Sequence, residues 1–370
     1  MKFNTSKDNL LKGIQAVQNA VSSKSTLPIL SHILIETKKQ NIRLTATDLE
    51  IGVSINIEGE VSEEGAITVP ARKFSEIVKE LPIGTKVNIS IKKGQSITIE
   101  SGRSFFRLSG LLKEDFPQLP DFPSQGSKDV DLVKVPQKLL KNMIQLTSFA
   151  MSHDETRYVL NGILFSFKDK HLKLVATDGR RLAVMQKTLS EVGSVKKEVI
   201  IPMKAVQELN RSLGEEGDVI FCFKDKQMQI SLGPVTITTR LIEGEYPNYE
   251  QVIPKKIKDE LKIGTQDFLQ AARRASILTT QDSQSVKINI IKDRMVITKN
   301  SPEFGEAREE LEVDYKGGEL AIGFNPAFLI DALKNIEDEN VCFGFIDPEK
   351  PAVIKSGEDY TYIVLPMQVN

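Results

Sequence analysis

Two aspartates in matching contexts are the residues of this chain with the clearest potential for chemistry. Asp48 ends the run Leu44-Thr-Ala-Thr-Asp48, and Asp178 ends Leu174-Val-Ala-Thr-Asp178, 130 residues further on. With nearby lysines, such carboxylates could serve an α+β enzyme that acts on a phosphate-bearing substrate. An aspartate between a strand and a turn more often caps its own backbone, and a third copy of the stretch has Asn300 here. We therefore interpret both aspartates as structural and keep the enzyme as an alternative hypothesis.

Histidine and cysteine, common metal ligands and nucleophiles, are few and poorly spaced for a site. His32, His153 and His171 share no metal-ligand spacing with one another or with the cysteines. No Gly-rich phosphate loop, Gly-x-Ser-x-Gly or Cys-x-x-Cys motif is present. The sequence therefore predicts no enzyme, no catalytic residue, no metal and no cofactor. Cys222 and Cys342 form no disulfide framework and the first residues lack a signal-peptide core, so we expect a cytoplasmic protein.

The elements that must position these residues recur three times along the chain. Residues 67–70 and 199–202 are strand-like runs that end in proline before an amphipathic helix, and residues 320–326 are a looser third copy. The six predicted helices are residues 6–21, 71–81, 136–150, 203–213, 265–278 and 326–336. Alternating strand-like runs fill the spaces between them. The pattern predicts an α+β fold of three repeated domains (1–124, 125–253 and 254–370), each with two helices packed on antiparallel sheets.

Charge is distributed unevenly between the helices and the rest of the chain. The net charge is −1, yet the six predicted helices contain twelve basic and six acidic residues. Such a mildly basic helical face suits contact with nucleic-acid phosphates without reading of the bases. The alternative is that each helix simply presents a solvated charged face.

The last residues of the chain are unusually apolar. Residues 360–367 read as a strand that continues into Leu365, Pro366 and Met367 close to the end of the sequence. Two interpretations remain open, a last strand that fills the core and a groove for a ligand. The flexible methionine side chain suits a groove that accepts several related ligands.

Motifs scattered in order along the whole chain are more specific than any single pattern. They include Val-Pro-Ala-Arg-Lys-Phe at 69–74, Arg-Tyr-Val-Leu-Asn-Gly at 157–162, Ala-Thr-Asp-Gly-Arg-Arg-Leu-Ala at 176–183, Tyr-Pro-Asn-Tyr at 246–249 and Ile-Val-Leu-Pro-Met at 363–367. With these motifs the chain closely resembles the bacterial β sliding clamps, the processivity subunits of DNA polymerase III. The resemblance implies a non-catalytic homodimeric ring that encircles duplex DNA. Replicative polymerase, clamp loader and repair proteins would bind it through short linear motifs.

The resemblance also implies three sets of site residues. The partner-peptide pocket would comprise Arg157, Leu160, Thr177, Gly179, Arg181, Leu182, Pro247, Val252, Ile363, Val364, Leu365, Pro366 and Met367. The DNA contacts would be Lys24, Arg72 and Tyr158, and the basic helices add Lys12, Lys138, Lys141, Lys204 and Arg211. The dimer interface would comprise Lys73, Arg103, Arg107, Ile277, Leu278, Glu303, Glu306 and Glu309.

This chain departs from the family pattern at a few of these places. Arg180 stands where family members often have His, and Gln251 stands where a basic residue is usual. Gly305 and Arg308 interrupt the acidic interface stretch. Apart from the enzyme, the remaining alternative is a repeat-built protein-interaction scaffold with no DNA role.

Overall fold

A computed structural model describes residues 1–22, 26–92, 95–123, 131–189 and 195–368. Its α-helices are α1 (Lys7–Val17), α2 (Ala71–Glu80), α3 (Gln137–Gln145), α4 (Met203–Ser212), α5 (Thr265–Ser276) and α6 (Pro326–Leu333). The strands of the first third are β1 (Lys2–Ser6), β2 (His32–Lys38), β3 (Asn41–Thr47), β4 (Ile51–Ile57), β5 (Glu60–Glu63), β6 (Gly65–Pro70), β7 (Lys86–Lys92), β8 (Ser96–Ser101) and β9 (Ser104–Ser109). Those of the middle third are β10 (Leu132–Pro136), β11 (Gly162–Lys168), β12 (His171–Thr177), β13 (Arg181–Thr188), β14 (Lys197–Pro202), β15 (Asp218–Lys224), β16 (Gln227–Leu232) and β17 (Val235–Arg240). Those of the last third are β18 (Asp259–Gly264), β19 (Val286–Ile291), β20 (Arg294–Ser301), β21 (Gly305–Glu312), β22 (Leu320–Phe324), β23 (Asn340–Phe345), β24 (Ala352–Ser356) and β25 (Tyr360–Val364).

All six predicted helices are present, but they end earlier than their periodicity indicates. The first begins after Ser6, whose Oγ accepts a hydrogen bond from the amide of Asn9 at 3.1 Å. The third was predicted to reach residue 150 and stops at Gln145. Thr147 follows, and its hydroxyl donates to the carbonyl of Met143 at 2.8 Å. A threonine hydroxyl that bonds the main chain in this way competes with helix continuation.

The same arrangement of strands occurs in each third of the chain. Three consecutive antiparallel strands follow the first helix, and the strand that leads into the second helix joins their edge (β6-β2-β3-β4, β14-β11-β12-β13 and β22-β19-β20-β21). The strand that leads into the first helix pairs with the first of the three strands after the second helix, and the other two follow in order across the sheet (β1-β7-β8-β9, β10-β15-β16-β17 and β18-β23-β24-β25). The predicted α+β repeat is confirmed.

Strands of successive repeats join to form larger sheets. β17 pairs antiparallel with β4, and β25 pairs antiparallel with β13, so two eight-stranded sheets result. In the part of the chain that the structure describes, β9 and β21 each lie at the edge of a sheet. An edge strand presents backbone N–H and C=O groups that can pair with another strand.

The chain folds as two compact units. The first is Met1–Leu139 with Gln207–Leu241, and the second is Leu140–Val206 with Ile242–Asn370. Each eight-stranded sheet lies within one unit. The predicted domain limits at 124 and 253 follow the repeats rather than these units, and they stay a prediction.

Each unit has its own apolar core. In the first, the missing side chain of Gly13 lets α1 pack closely on β3 and β4. A Cβ at this position would lie only 2.7 Å from Leu44 and from Ile57. In the second, Phe343 contacts Phe268 and Phe324 edge to face, with ring centroids 5.5 and 6.1 Å apart. Such buried aromatic contacts add stability beyond the area that they bury. No described helix is long and apolar enough to cross a membrane.

Candidate functional site

A capped turn between β12 and β13 forms one side of the predicted pocket. Asp178 Oδ1 accepts hydrogen bonds from the amides of Arg180 at 2.9 Å and Arg181 at 3.1 Å. Thr177 Oγ1 donates to the carbonyl of Arg181 and accepts from the amide of Gly179. Gly179 has a φ of +86°, a conformation that favours glycine. The interpretation of Asp178 as a structural cap is therefore confirmed.

The turn is held to the last third of the chain through Arg181. Its Nε lies 2.9 Å from Asp178, its Nη1 lies 2.7 Å from Asp331 on α6, and its Nη2 donates to the carbonyl of Phe149. The guanidinium also lies over the rings of Phe149 and Phe328. Burial is the largest single effect on both groups and opposes their ionisation, but the hydrogen bonds and neighbouring charges together outweigh it, so the pKa of Asp331 is lowered and that of Arg181 is raised. The Arg181 side chain therefore joins elements of the second unit.

The remaining predicted pocket residues separate into a floor and a rim. The buried ones, which would form the floor, are Leu160, Leu182, Ile363 and Val364. The exposed ones, which would form the rim, are Arg157, Gly179, Pro247, Val252, Leu365 and Met367, with Thr177 and Pro366 half-buried. Leu182 and Ile363 are directly opposite each other on β13 and β25, within one apolar cluster. The arrangement is an apolar surface with few polar groups, as expected of a site that anchors a peptide.

The C-terminal segment changes character at Leu365. Tyr360 and Tyr362 of β25 are buried, so this part of the segment fills the core. Leu365 and Met367 are 39% and 38% exposed. Their amides donate to the carbonyls of Arg180 and Gly323, at 3.0 and 2.8 Å. The core interpretation therefore holds for residues 360–364, and the ligand groove at residues 365–367 stays a prediction.

The Arg157 side chain also contacts the capped turn. Its Nη1 donates to the carbonyl of Asp178 at 3.2 Å, and its Nε lies 3.7 Å from Asp154. A Cβ on Gly179 would come within 2.8 Å of the same Nη1. Glycine is thus favoured here for its backbone conformation, and its missing side chain leaves room for the close approach of Arg157.

A neighbouring cleft was not predicted from the sequence. It has a volume of about 450 Å³, and its lining includes Lys173, Val184, Tyr249 and Ile253. Val184, Tyr249 and Ile253 also pack in the apolar cluster that contains Leu182 and Ile363. The alternating sequence pattern predicts that Lys173 and Val184 lie on strands. Only the pairing of β12 with β13 in the fold brings these two residues together.

The predicted DNA-contact residues lie on helices and a short turn of both units. Lys24 lies outside the described residues. Arg72, Lys12, Lys138, Lys204 and Arg211 are exposed on their helices, Lys141 is half-buried, and Tyr158 is 58% exposed.

Two of these cations already have acidic partners on their own helices. Arg72 Nε lies 3.0 Å from Glu76, and Arg211 is paired with Glu208. Glu208 is buried, and that burial raises the pKa of its carboxyl despite the opposing effect of Arg211. These pairings reduce the charge that Arg72 and Arg211 offer to a phosphate.

Comparisons with known proteins identify the family. Three models describe the DNA polymerase III beta subunit, and their N-terminal, central and C-terminal domains match residues 1–120, 134–248 and 250–368. The chain belongs to the DNA polymerase III beta subunit family. It is 35% identical over 373 residues to the beta sliding clamp of Escherichia coli K12 and 34% identical over 372 residues to that of Chlamydia muridarum, with all of each chain covered. Sliding-clamp structures from Bacillus subtilis and Pseudomonas aeruginosa match with TM-scores of 0.94 and 0.92 at 32% and 34% identity, over the whole of each chain.

Membership of this family decides between the functional hypotheses. The chain is a DNA sliding clamp, a non-catalytic processivity factor whose partners are DNA and a polymerase. The enzyme that would use Asp48 and Asp178 and the scaffold without a DNA role are not favoured. The structure agrees on the aspartates, because Asp48 Oδ1 also accepts from two amides of its own turn, those of Glu50 and Ile51.

Several of the predicted dimer residues of this clamp lie on or beside β9 and β21. Arg103 and Arg107 are exposed beside and on β9, and Glu306 is exposed on β21. Also exposed are Glu303 before β21 and Ile277 after α5, while Leu278 is half-buried. Two predicted members already have partners within the chain: Lys73 lies 2.7 Å from Glu76, and Glu309 binds Arg274 of α5 through two hydrogen bonds.

Proposed function

We propose that two copies of this clamp close head to tail into a ring, with β9 of one copy pairing with β21 of the other. The proposal is supported by the way in which successive repeats pair within the chain. The last strand of the second repeat, β17, pairs with β4 of the first repeat, and β25 of the third repeat pairs with β13 of the second. By the same rule β9 of the first repeat needs β21 of a third repeat, which a second copy supplies.

The internal junctions also give a register for this contact. At the β17–β4 junction Thr238 lies opposite Gly52. Counted from their hairpins, Thr238 corresponds to Arg107 of β9, and Gly52 corresponds to Glu306 of β21.

This register brings opposite charges together. Arg107 of one copy lies opposite Glu306 of the other, and Arg103 lies opposite Glu310. Directly opposed charge pairs on antiparallel strands contribute roughly 0.2–1 kcal/mol each. The acids that support the interface therefore include Glu310, which the sequence-based set does not contain.

A charge-swap experiment tests the ring. Reversal of Arg103 and Arg107 to Glu is expected to shift the protein to monomer in sedimentation equilibrium. Adding Glu306→Arg and Glu310→Arg to the same chain is expected to restore the dimer. Lys168→Glu, at an exposed site on β11, is the control and leaves the dimer unchanged. A dimer that survives the first reversal contradicts this interface.

The pocket of the second unit is proposed to bind short linear motifs of the polymerase, the clamp loader and repair proteins. A motif with a glutamine and a Leu-Phe-like apolar end would place that end on the buried floor of the pocket. The exposed side chains of Leu365 and Met367 support this proposal, because they extend the buried floor to the surface.

Truncation of the rim tests the pocket. Leu365→Ala combined with Met367→Ala is expected to abolish binding of such a peptide, measured by fluorescence anisotropy. The melting temperature should change little, because both side chains are partly exposed. Ile83→Ala, which truncates an apolar side chain that is 87% exposed in the first unit, is the matched control. Unchanged affinity of the double variant rules this pocket out.

The ring would encircle duplex DNA without reading its sequence and act in the cytoplasm. Its contacts would be to phosphates, which suits the exposed lysines and arginines of the helices. The proposed contacts are Lys24, Arg72, Tyr158, Lys12, Lys138, Lys141, Lys204 and Arg211.

A further inference from the structure

The strand that leads into the first helix of the third repeat, β18, lies at the edge of its eight-stranded sheet. In the described part of the chain, β18 has β23 on one side and no strand on the other. Leu261 and Ile263 of this strand are buried, and Lys262 between them is exposed. The open edge of such a strand presents backbone N–H and C=O groups that another extended chain can bond.

In the first repeat the equivalent edge is occupied. The equivalent strand, β1, pairs antiparallel with β5, which places Val61 opposite Phe3 and Glu60 opposite Asn4. The chain enters β5 shortly after it leaves β4, the third of the consecutive strands. A short strand of the same chain therefore covers the edge in this repeat.

The corresponding segment of the third repeat, residues 313–316, makes different contacts. The amide of Val313 donates to the carbonyl of Asp293 at 3.2 Å, and the amide of Asp293 donates to the carbonyl of Tyr315 at 3.0 Å. The Tyr315 ring is buried beside that of Phe345, with centroids 5.8 Å apart. These contacts hold the segment at the turn between β19 and β20, so it forms no strand against β18.

A cleft of about 600 Å³ is lined both by β18 and by this segment. Its charged lining residues are two cations and three exposed carboxylates: Lys262, Arg294, Asp293, Glu312 and Asp314. Two ion pairs here are long, Arg294 to Glu310 at 3.7 Å and Lys316 to Asp314 at 3.8 Å. Among the described residues, no ion pair within 4 Å involves the other two carboxylates, so the cleft favours a cationic occupant.

We propose that the edge of β18 binds a basic segment of a partner protein as an added antiparallel strand. The first repeat provides the geometry, because β5 occupies the equivalent edge in this way. The carboxylates provide the selection, because every second side chain of the added strand faces the same side and a lysine or arginine there gains an ion pair. This contact is separate from the pocket at the turn between β12 and β13.

Three labelled hexapeptides with blocked ends test the proposal on the whole chain. The first alternates lysine with valine, the second alternates glutamate with valine, and the third is the lysine peptide with its backbone amides methylated on nitrogen. The lysine peptide is expected to bind about 10-fold tighter than either of the others in low salt, measured by fluorescence anisotropy. The glutamate peptide lacks the ion pairs, and the methylated peptide lacks the N–H donors.

Hydrogen exchange locates the bound peptide. About half of the β18 amides face β23, and the others face the open edge. Exchange in residues 259–264 should therefore slow when the lysine peptide is bound. Exchange in residues 2–6 of β1 should not change, because β5 and β7 already pair with both of its edges.

Charge variants separate the cleft from the acidic surface as a whole. Glu312→Gln combined with Asp293→Asn is expected to weaken binding of the lysine peptide about 5-fold. Glu58→Gln combined with Glu80→Gln is the matched control, because it removes two exposed carboxylates from the first unit. The control should bind the lysine peptide as the wild type does.

Several results would overturn the proposal. They are failure of the lysine peptide to bind at millimolar concentration, equal binding of the lysine peptide and either of the others, and protection that appears elsewhere than in residues 259–264. An equal loss of affinity in the cleft variant and in its control would also overturn it, since the peptide would then be responding to net charge alone.

Discussion

The turns at residues 47–52 and 177–182 have the same capping contacts but different surroundings. In each, a threonine hydroxyl donates to the carbonyl four residues later, at 2.8 Å for Thr47 and 2.6 Å for Thr177. In each, an aspartate accepts two amides of the turn. The first two repeats therefore share this cap, and the residues that follow it decide what each turn does.

The first turn is covered by its own chain. A Cβ on Gly52 would clash with Leu119 Cδ1, so the absent side chain makes room for Leu119. In the second repeat this position is Leu182, which is buried in the apolar cluster of the proposed pocket. The first repeat thus has glycine at a strand position covered by Leu119, where the second repeat has a leucine of the proposed pocket floor.

The largest expected effect on stability comes from the third residue after the capping aspartate. This residue is Arg181 in the second turn and Ile51 in the first. Arg181→Ile should cost about 3–5 kcal/mol of unfolding free energy, because Asp178 and Asp331 lose a buried partner. Ile51→Val, in the first turn, should cost about 0.5–1.5 kcal/mol. Urea denaturation measures both, and a loss below about 1 kcal/mol for Arg181→Ile would show that the ion pairs of Arg181 are not stabilising.

Asp331 contacts only the second turn, and its contribution to the free energy of unfolding should depend on pH. Asp331→Asn should cost about 1.5–3 kcal/mol at pH 7, the range for hydrogen bonds to charged groups. Because the pKa of Asp331 is lowered below 3.8 by Arg181 and Lys334, its contribution is complete above that value and is lost as the pH falls through the folded pKa. The difference between wild type and variant should therefore shrink below pH 3.8, and a difference that stays constant across that range would refute the ion pair.

Replacing Gly52 of the first turn by the leucine found in the second turn should disturb the packing of Leu119. Gly52→Leu is expected to cost about 1–3 kcal/mol through overpacking against Leu119. Leu119→Ala in the same chain should recover part of that loss, as a double-mutant cycle in denaturant would measure. Additive costs would mean that the two side chains do not compete for the same space.

The smallest effect concerns the left-handed residue of each turn. Leu49 has a φ of 78°, where glycine is less strained than leucine, so Leu49→Gly should stabilise the protein by about 0.5–1 kcal/mol. Gly179→Leu should do the opposite and cost more than about 1 kcal/mol, since Arg157 lies over that turn. Opposite shifts of the melting temperature are expected, and shifts of the same sign would contradict the comparison.

Local features of this fold are predictable from sequence, while contacts between repeats are not. Ser6 and Asp178 could be recognised as caps because each acts on amides within three residues of itself. The pairing of Arg181 with Asp331 joins positions 150 residues apart, and no local pattern indicates it.

The same distinction applies to the sheets and to the site. The α+β repeat follows from periodicity, but the junctions of β17 with β4 and of β25 with β13 depend on strand edges that only the folded chain reveals. The pocket residues came from resemblance to a family, because floor and rim are distributed from Arg157 to Met367.

Retention on DNA circles tests the central claim most directly. The clamp is incubated with a clamp loader and nicked circular plasmid, separated from free protein by gel filtration, and assayed before and after a single cut linearises the plasmid. A ring that holds DNA by topology should co-elute with the circle and be released after the cut. Protein that remains bound to the linear DNA, or that never stays on the circle, would contradict the account.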